Sequence, residues 1–145
     1  MTTSPFGARP YDVLLVEDDP ADALLIREAL DARGVARTVA QAEDGVAALE
    51  WLRDPGHSRP DLIVLDLNLP RMNGRELLSV LKQDEQLKGI PVVVLTTSSA
   101  PEDVASAYQR HANAFVTKPV KLDDFVHTVR KIDAFFLETA AILPR

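Results

Sequence analysis

Cysteine is missing from the 145 residues. That excludes disulfide staples and thiolate metal centres, and it fits a reducing compartment. Basic residues are in the minority, 16 Lys and Arg against 22 Asp and Glu, for a net charge of −6. No basic patch is available to displace counterions from phosphates, so nucleic acid is not an expected partner. No apolar run approaches the roughly 18 residues of a membrane span. The opening MTTSPFGARP lacks the apolar core of a signal peptide, so the chain is expected to be cytoplasmic, away from membranes, with residues 1–10 a flexible tail. What is present is ordinary for a globular domain: 46% hydrophobic and 26% charged residues. A chain of this length buries about two-thirds of its unfolded surface in one core.

Short apolar runs alternate with helical patterns. YDVLLVE (11–17) reads as a buried strand. Pro20 to Gly34 reads as a helix with Leu25, Ile26, Ala29 and Leu30 on one face, Asp19 as its N-cap and Gly34 as its stop. ARTVAQA (36–42) is a second strand, and Gly45 to Asp54 a helix with Val46, Leu49 and Leu52 inward. Strand 61–66, helix 74–84, strand 90–97, a helix near 101–111, strand 114–117 and a last helix from Leu122 complete the series. Five strand–helix units in succession imply an α/β fold, a doubly wound five-stranded parallel sheet of flavodoxin-like (βα)5 type. Strand order 2-1-3-4-5 is one common solution, with its switch point between strands 1 and 3.

The stretch PDLIVLDLNLPRMNG (60–74) poses the functional question, because a buried strand here ends on a carboxylate, Asp66. Strand 1 runs into Glu17, Asp18 and Asp19, and strand 3 into Asp66. Strand 4 ends on Thr96-Thr97-Ser98-Ser99 and strand 5 on Thr117-Lys118-Pro119. In such sheets ligands bind beyond the carboxyl ends of the strands at the switch point. One crevice thus collects several carboxylates, hydroxyls and one ammonium, and that crowding of like charge calls for a cation. All-oxygen donors with room for water suit Mg²⁺, which in such sites commonly meets a phosphate. Lys118 would share that phosphate's charge, Thr96 would donate a hydrogen bond to it, and Asp66 would be the nucleophile.

These segments together resemble the receiver domain of two-component response regulators. The resemblance covers nearly all of 11–138 through LLVEDDP, VLDLNLPRMNG, VVVLTTS and FVTKPV, each at a strand's carboxyl end. VEDDPAD, LDLNLP and the apolar C-terminal extension are similar to single-domain regulators that serve bacterial and cyanobacterial phytochromes. The resemblance implies that Asp66 takes a phosphoryl group from a sensor histidine kinase. It also implies that Glu17, Asp18, Asp66 and the backbone carbonyl of Asn68 hold Mg²⁺, with Glu17 acting directly or through water. Thr96 and the aromatic at 115 would form a switch, carried here by packing alone because Phe115 lacks the hydroxyl of the family's common Tyr. The Lys118–Pro119 bond is expected to be cis, as is usual in receivers, and Ser98 to tune access of hydrolytic water. Glu17 departs from the commoner Asp.

Ordinary roles stand beside these. Asp19 reads first as a cap, Thr97 and Ser98 as loop or cap residues, and Asn68 as a turn residue. His57, His111 and His127 read as surface or packing residues, and Trp51 and Tyr108 as helix-face packing. A dehalogenase-type phosphatase would want a second Asp where Asn68 stands. A flavodoxin-like FMN carrier would be repelled by Glu17-Asp18-Asp19, and a module that keeps the fold alone would not need Asp66, Thr96 and Lys118. No helix-turn-helix follows, so output is expected through an unknown downstream protein, or by passing the phosphoryl group onward in a relay. In the last helix, apolar residues at 125, 126, 129, 132 and 136 make the sheet-facing stripe. Phe135, Phe136, Leu137, Ile142 and Leu143, within or beside the 139–145 extension, form the expected homodimer surface. An extra turn folded back on the same domain is the alternative.

Overall fold

The structure, a computed structural model, describes residues 11–34 and 37–139. Its strands are β1 (Tyr11–Val16), β2 (Arg37–Ala42), β3 (Leu62–Leu65), β4 (Val92–Thr96) and β5 (Ala114–Thr117). The helices are α1 (Pro20–Asp31), α2 (Gly45–Arg53), α3 (Gly74–Gln83), α4 (Pro101–Gln109) and α5 (Leu122–Ala134), with a π-helical turn over Phe135–Thr139. All neighbouring strands pair in parallel. The order is β2-β1-β3-β4-β5, as the alternation of strand and helix patterns anticipated.

Apolar side chains on the two faces of the sheet build two cores. Leu14, Val16, Ile63, Leu65, Val92 and Val94 pack beneath α2, α3 and α4 with Leu49, Leu77, Leu78 and Leu81. On the other face Val13, Leu15, Leu62, Val64, Val93 and Leu95 meet α1 and α5 through Ile26, Leu30, Phe125 and Val129. β3 and β4 are buried along their whole length, which explains their unbroken Leu, Ile and Val runs, since a central parallel strand has no solvent face. β2, at the sheet edge, is mostly half-exposed.

Local chemistry sets where elements begin. The Asp19 carboxylate accepts from the Ala21 and Asp22 amides, so α1 starts at Pro20. Asn73 and Glu76 form a capping box at α3. Gly34 has φ +69°, the left-handed conformation that ends a helix cheaply only with glycine. Gly74 has a different reason: a Cβ there would collide with the Asp66 carbonyl oxygen and the Leu67 backbone. Only glycine lets α3 pack directly on the loop after β3.

The C-terminal expectation needs one correction. Leu137 is buried in the α1–α5 core and Phe136 is half-buried against it, so the helix end does fold back on its own domain. Phe135 alone of the described set is largely exposed, with its ring edge-on to Phe136. Ile142 and Leu143, with the 1–10 segment and most of the 139–145 extension, lie outside the described residues.

Candidate functional site

The loops at the carboxyl ends of β1, β3 and β5 bring four charged groups together. Asp66 follows directly on β3, whose pairing with β1 sets Leu65 opposite Val16. The Asp66 amide donates to the Val16 carbonyl at 3.0 Å, which carries the ladder one residue further and fixes Asp66 beside Glu17. Asp66 Oδ1 accepts from the Asn68 amide at 3.0 Å. Lys118 reaches in from the end of β5, where its amide donates to the Thr96 carbonyl at 2.7 Å. Its Nζ donates to Asp66 Oδ2 at 3.0 Å, to Asp22 Oδ2 at 2.8 Å, and in a short contact to Glu17 Oε1. All three ammonium protons are therefore engaged. Among the described residues no peptide bond is cis, which corrects the expectation for Lys118–Pro119. Lys118 points inward through its long stem and its partners rather than through that bond.

Glu17, Asp66 and Lys118 are all buried. Burial, then the adjacent Asp66, push the Glu17 carboxyl up to about 8 against the pull of Lys118. Burial also works to raise Asp66, but the Asn68 amide, Glu17 and Lys118 outweigh it and hold Asp66 below the ordinary carboxylate range. Burial works to lower Lys118, and the carboxylates of Asp22, Glu17 and Asp66 overcome it and raise its pKa. The three acids share one electrostatic problem that a single ammonium does not solve.

A divalent cation fits that problem. Carboxylate oxygens of Glu17, Asp18 and Asp66 lie within 4.8 Å of one another. Glu17 Oε2 is buried without a hydrogen-bond partner, and an orphaned oxygen of this kind is what a metal would satisfy. Asp18 is exposed, leaving an entry side and room for water. Hard oxygen donors suit Mg²⁺ or Mn²⁺ better than softer metals.

Thr96 is fully buried at the end of β4, and its Oγ1 likewise has no partner. Phe115 on β5 is half-buried against the α2–α4 core, its amide donating to the Tyr108 hydroxyl at 3.1 Å.

Known proteins resemble this chain in sequence and in fold. The model of the response regulator receiver domain matches residues 13–130. The chain belongs to the response regulator receiver family. Response regulator Rcp1 of Synechocystis sp. is 43% identical over 137 residues, covering 92% of this chain and 93% of Rcp1. The crystal structure of the Mn²⁺-bound form of Rcp1 superposes with TM-score 0.88 at 42% identity, covering 93% of this chain and all of that one. The phosphorylated cyanobacterial phytochrome response regulator RcpA gives TM-score 0.90 at 43% identity, with 94% and 100% covered.

Asp22 and Arg71 escape a reading of motifs alone. Asp22 contacts Lys118 but sits in the first turn of α1, where an acid is ordinary. Arg71, in the loop after Asp66, has φ 56° and pairs with Asp44, the N-cap of α2, at 2.7 Å. Ser98 donates to Asp103 Oδ2 at 2.5 Å, and Arg75 holds the other oxygen at 2.7 Å. His57, His111 and His127 are exposed. Trp51 is half-buried and stacks on His57 at 4.3 Å. Tyr108 corrects the expectation of a packing residue: it is exposed, with its hydroxyl on the β5 backbone.

Proposed function

We propose that this receiver takes a phosphoryl group on Asp66 from a sensor histidine kinase of the phytochrome type. The observation that carries the reading is Lys118 Nζ 3.0 Å from Asp66 Oδ2, beside three carboxylates within metal-binding reach. An Asp66 carboxylate oxygen supplies the electron pair for a new O–P bond. The P–N bond of phosphohistidine breaks, and its pair stays on the imidazole nitrogen, which takes up a proton from solvent and ends as neutral imidazole. Glu17, Asp18, Asp66 and the Asn68 carbonyl would hold Mg²⁺, which would supply charge neutralisation for the transferring group. Lys118 stabilises the same charge from the β5 side, and the Asn68 amide orients the acceptor carboxylate.

Rcp1 is crystallised with Mn²⁺ and RcpA in phosphorylated form. Bacteriophytochrome response regulators RtBRR and AtBRR share the fold at 36% and 34% identity. These relatives support the phytochrome assignment. Exposed Val120 and Leu122, with half-buried Leu25, border the opening over Lys118 and offer a partner protein an apolar rim.

The acyl phosphate shifts a population: its oxygens draw in the unpartnered Thr96 hydroxyl, and Phe115 repacks by shape alone. Catalysis is confined to the protein's own phosphorylation and dephosphorylation, in the cytoplasm, and output passes to another protein. Two copies pair through the face that carries the exposed Phe135. Incubation with acetyl phosphate and Mg²⁺ tests the acceptor: the wild-type intact mass rises by one phosphoryl group, and Asp66→Asn stays unlabelled. Equal labelling of both proteins places the acceptor elsewhere.

A further inference from the structure

The Lys118 ammonium is shared three ways, and two of its partners belong to the reacting centre. Glu17 and Asp66 are candidate metal ligands, so a bound cation draws on the same two carboxylates that Lys118 holds. Asp22 is different. It lies on α1, outside the acidic cluster, with its side chain about a quarter exposed while that of Lys118 is almost fully buried. It lines an open groove of about 400 Å³ with Leu25, Thr97, Pro119 and Val120, the face on which Lys118 meets solvent. The bland role, a first-turn acid that favours the α1 dipole, requires no contact with Lys118. Asp22 Oδ2 is nonetheless 2.8 Å from Nζ, closer than Asp66.

We propose that Asp22 is a specificity-determining residue for phosphoryl uptake, a rim carboxylate that disfavours small dianionic phosphodonors by occupying Lys118 and repelling their charge. The inference rests on Asp66 being the acceptor. A free donor entering by the groove meets a negative charge before it meets the ammonium. It also finds one Nζ proton already committed. A docked protein donor brings apolar contacts on Leu25, Val120 and Leu122 that offset this cost, whereas a small molecule has none. Asp22 thereby biases the receiver towards its kinase and away from metabolic phosphodonors. It acts through Lys118 and touches no reacting atom.

The charge of the donor and the salt concentration separate this role from a structural one. Wild-type, Asp22→Asn and Asp22→Ser proteins are each given Mg²⁺ with acetyl phosphate, a dianion, or with phosphoramidate, which carries one net negative charge. Asp66 attacks phosphorus in both; the P–O bond breaks with its pair on acetate in the first, the P–N bond with its pair on ammonia in the second. At low ionic strength both variants should take up the phosphoryl group from acetyl phosphate roughly three- to tenfold faster than wild type, at or below the low end of what a whole charged cleft produces. The gain should be smaller with phosphoramidate and shrink towards unity in high salt. Asp22→Glu should return the rate to the wild-type value. Uptake from acetyl phosphate that is unchanged or slower in both variants overturns the proposal, as does a gain indifferent to donor charge and salt. Uptake by Asp66→Asn overturns the acceptor assignment instead, whatever Asp22 does.

Discussion

Thr96 is the residue whose chemistry fits its surroundings least. Its hydroxyl is buried without a partner, and an unsatisfied buried hydroxyl costs about 1–3 kcal/mol. Thr96→Val keeps the shape and removes the cost. Thermal unfolding should occur at the same temperature or a few degrees higher, while the phosphorylation-dependent change, read by near-UV or NMR signals around Phe115, should disappear. A destabilised variant that still switches would show that Thr96 is structural. Thr96, Asp66, Glu17, Asp18 and Lys118 were legible in the sequence because each stands where an apolar run stops, at the end of a parallel strand. Asp22 was not, because a helix's first turn accepts an acid for reasons of its own. The geometry of Arg71 was hidden as well, since nothing in PRMNG marks a non-glycine residue with positive φ.

Among elements, the loop between β3 and α3 carries the proposed acceptor, Asp66, and is held from both ends. Gly74 allows α3 to approach the Asp66 backbone. Gly74→Ala should therefore cost about 1–3 kcal/mol, as overpacking does, and slow phosphoryl uptake, measured by denaturant unfolding and intact mass. Asp44 holds the other side by capping α2 and pairing with Arg71. Arg71 and the Ala47 amide keep the Asp44 carboxyl below its ordinary range. A depressed carboxyl stabilises the fold above the unfolded-chain value of about 4 and loses that contribution as pH falls through the folded value. Asp44→Ala should be less stable than wild type by about 1 kcal/mol at neutral pH, with the gap closing below about pH 4. The number, order and kind of elements were readable from periodicity because strands and helices alternate cleanly. Their ends shifted by a residue or two, as at β3, where flanking Asp61 and Asp66 belong to loops that use their carboxylates.

For the molecule as a whole, the end opposite the acidic cluster is closed by a buried ion cluster. Asp133 near the end of α5 accepts from both terminal nitrogens of Arg37, at 2.5 and 2.7 Å, and pairs with Arg33 at 2.6 Å. It ties α5 to the start of β2 and the loop after α1. Asp133→Ala leaves buried guanidinium charge uncompensated and should cost about 3–5 kcal/mol. Uptake of phosphate below the melting temperature should be little changed, because the cluster lies at the other end of the strands. Among the described residues the quaternary expectation narrows to Phe135, since Leu137 serves its own core: Phe135→Glu should sediment as a monomer if the chain pairs through this face, and an undisturbed dimer would move the interface elsewhere. The central claim is that acids from β1 and β3 and the lysine after β5 form one phosphoryl-accepting centre. A crystal structure grown with Mg²⁺ and beryllofluoride, a mimic of the acyl phosphate, tests it most directly. Beryllium should sit on an Asp66 carboxylate oxygen, with Mg²⁺ beside Glu17 and Asp18, and Lys118 Nζ and Thr96 Oγ1 on the fluorines. Beryllofluoride on any other side chain, or Lys118 turned away from it, would contradict it.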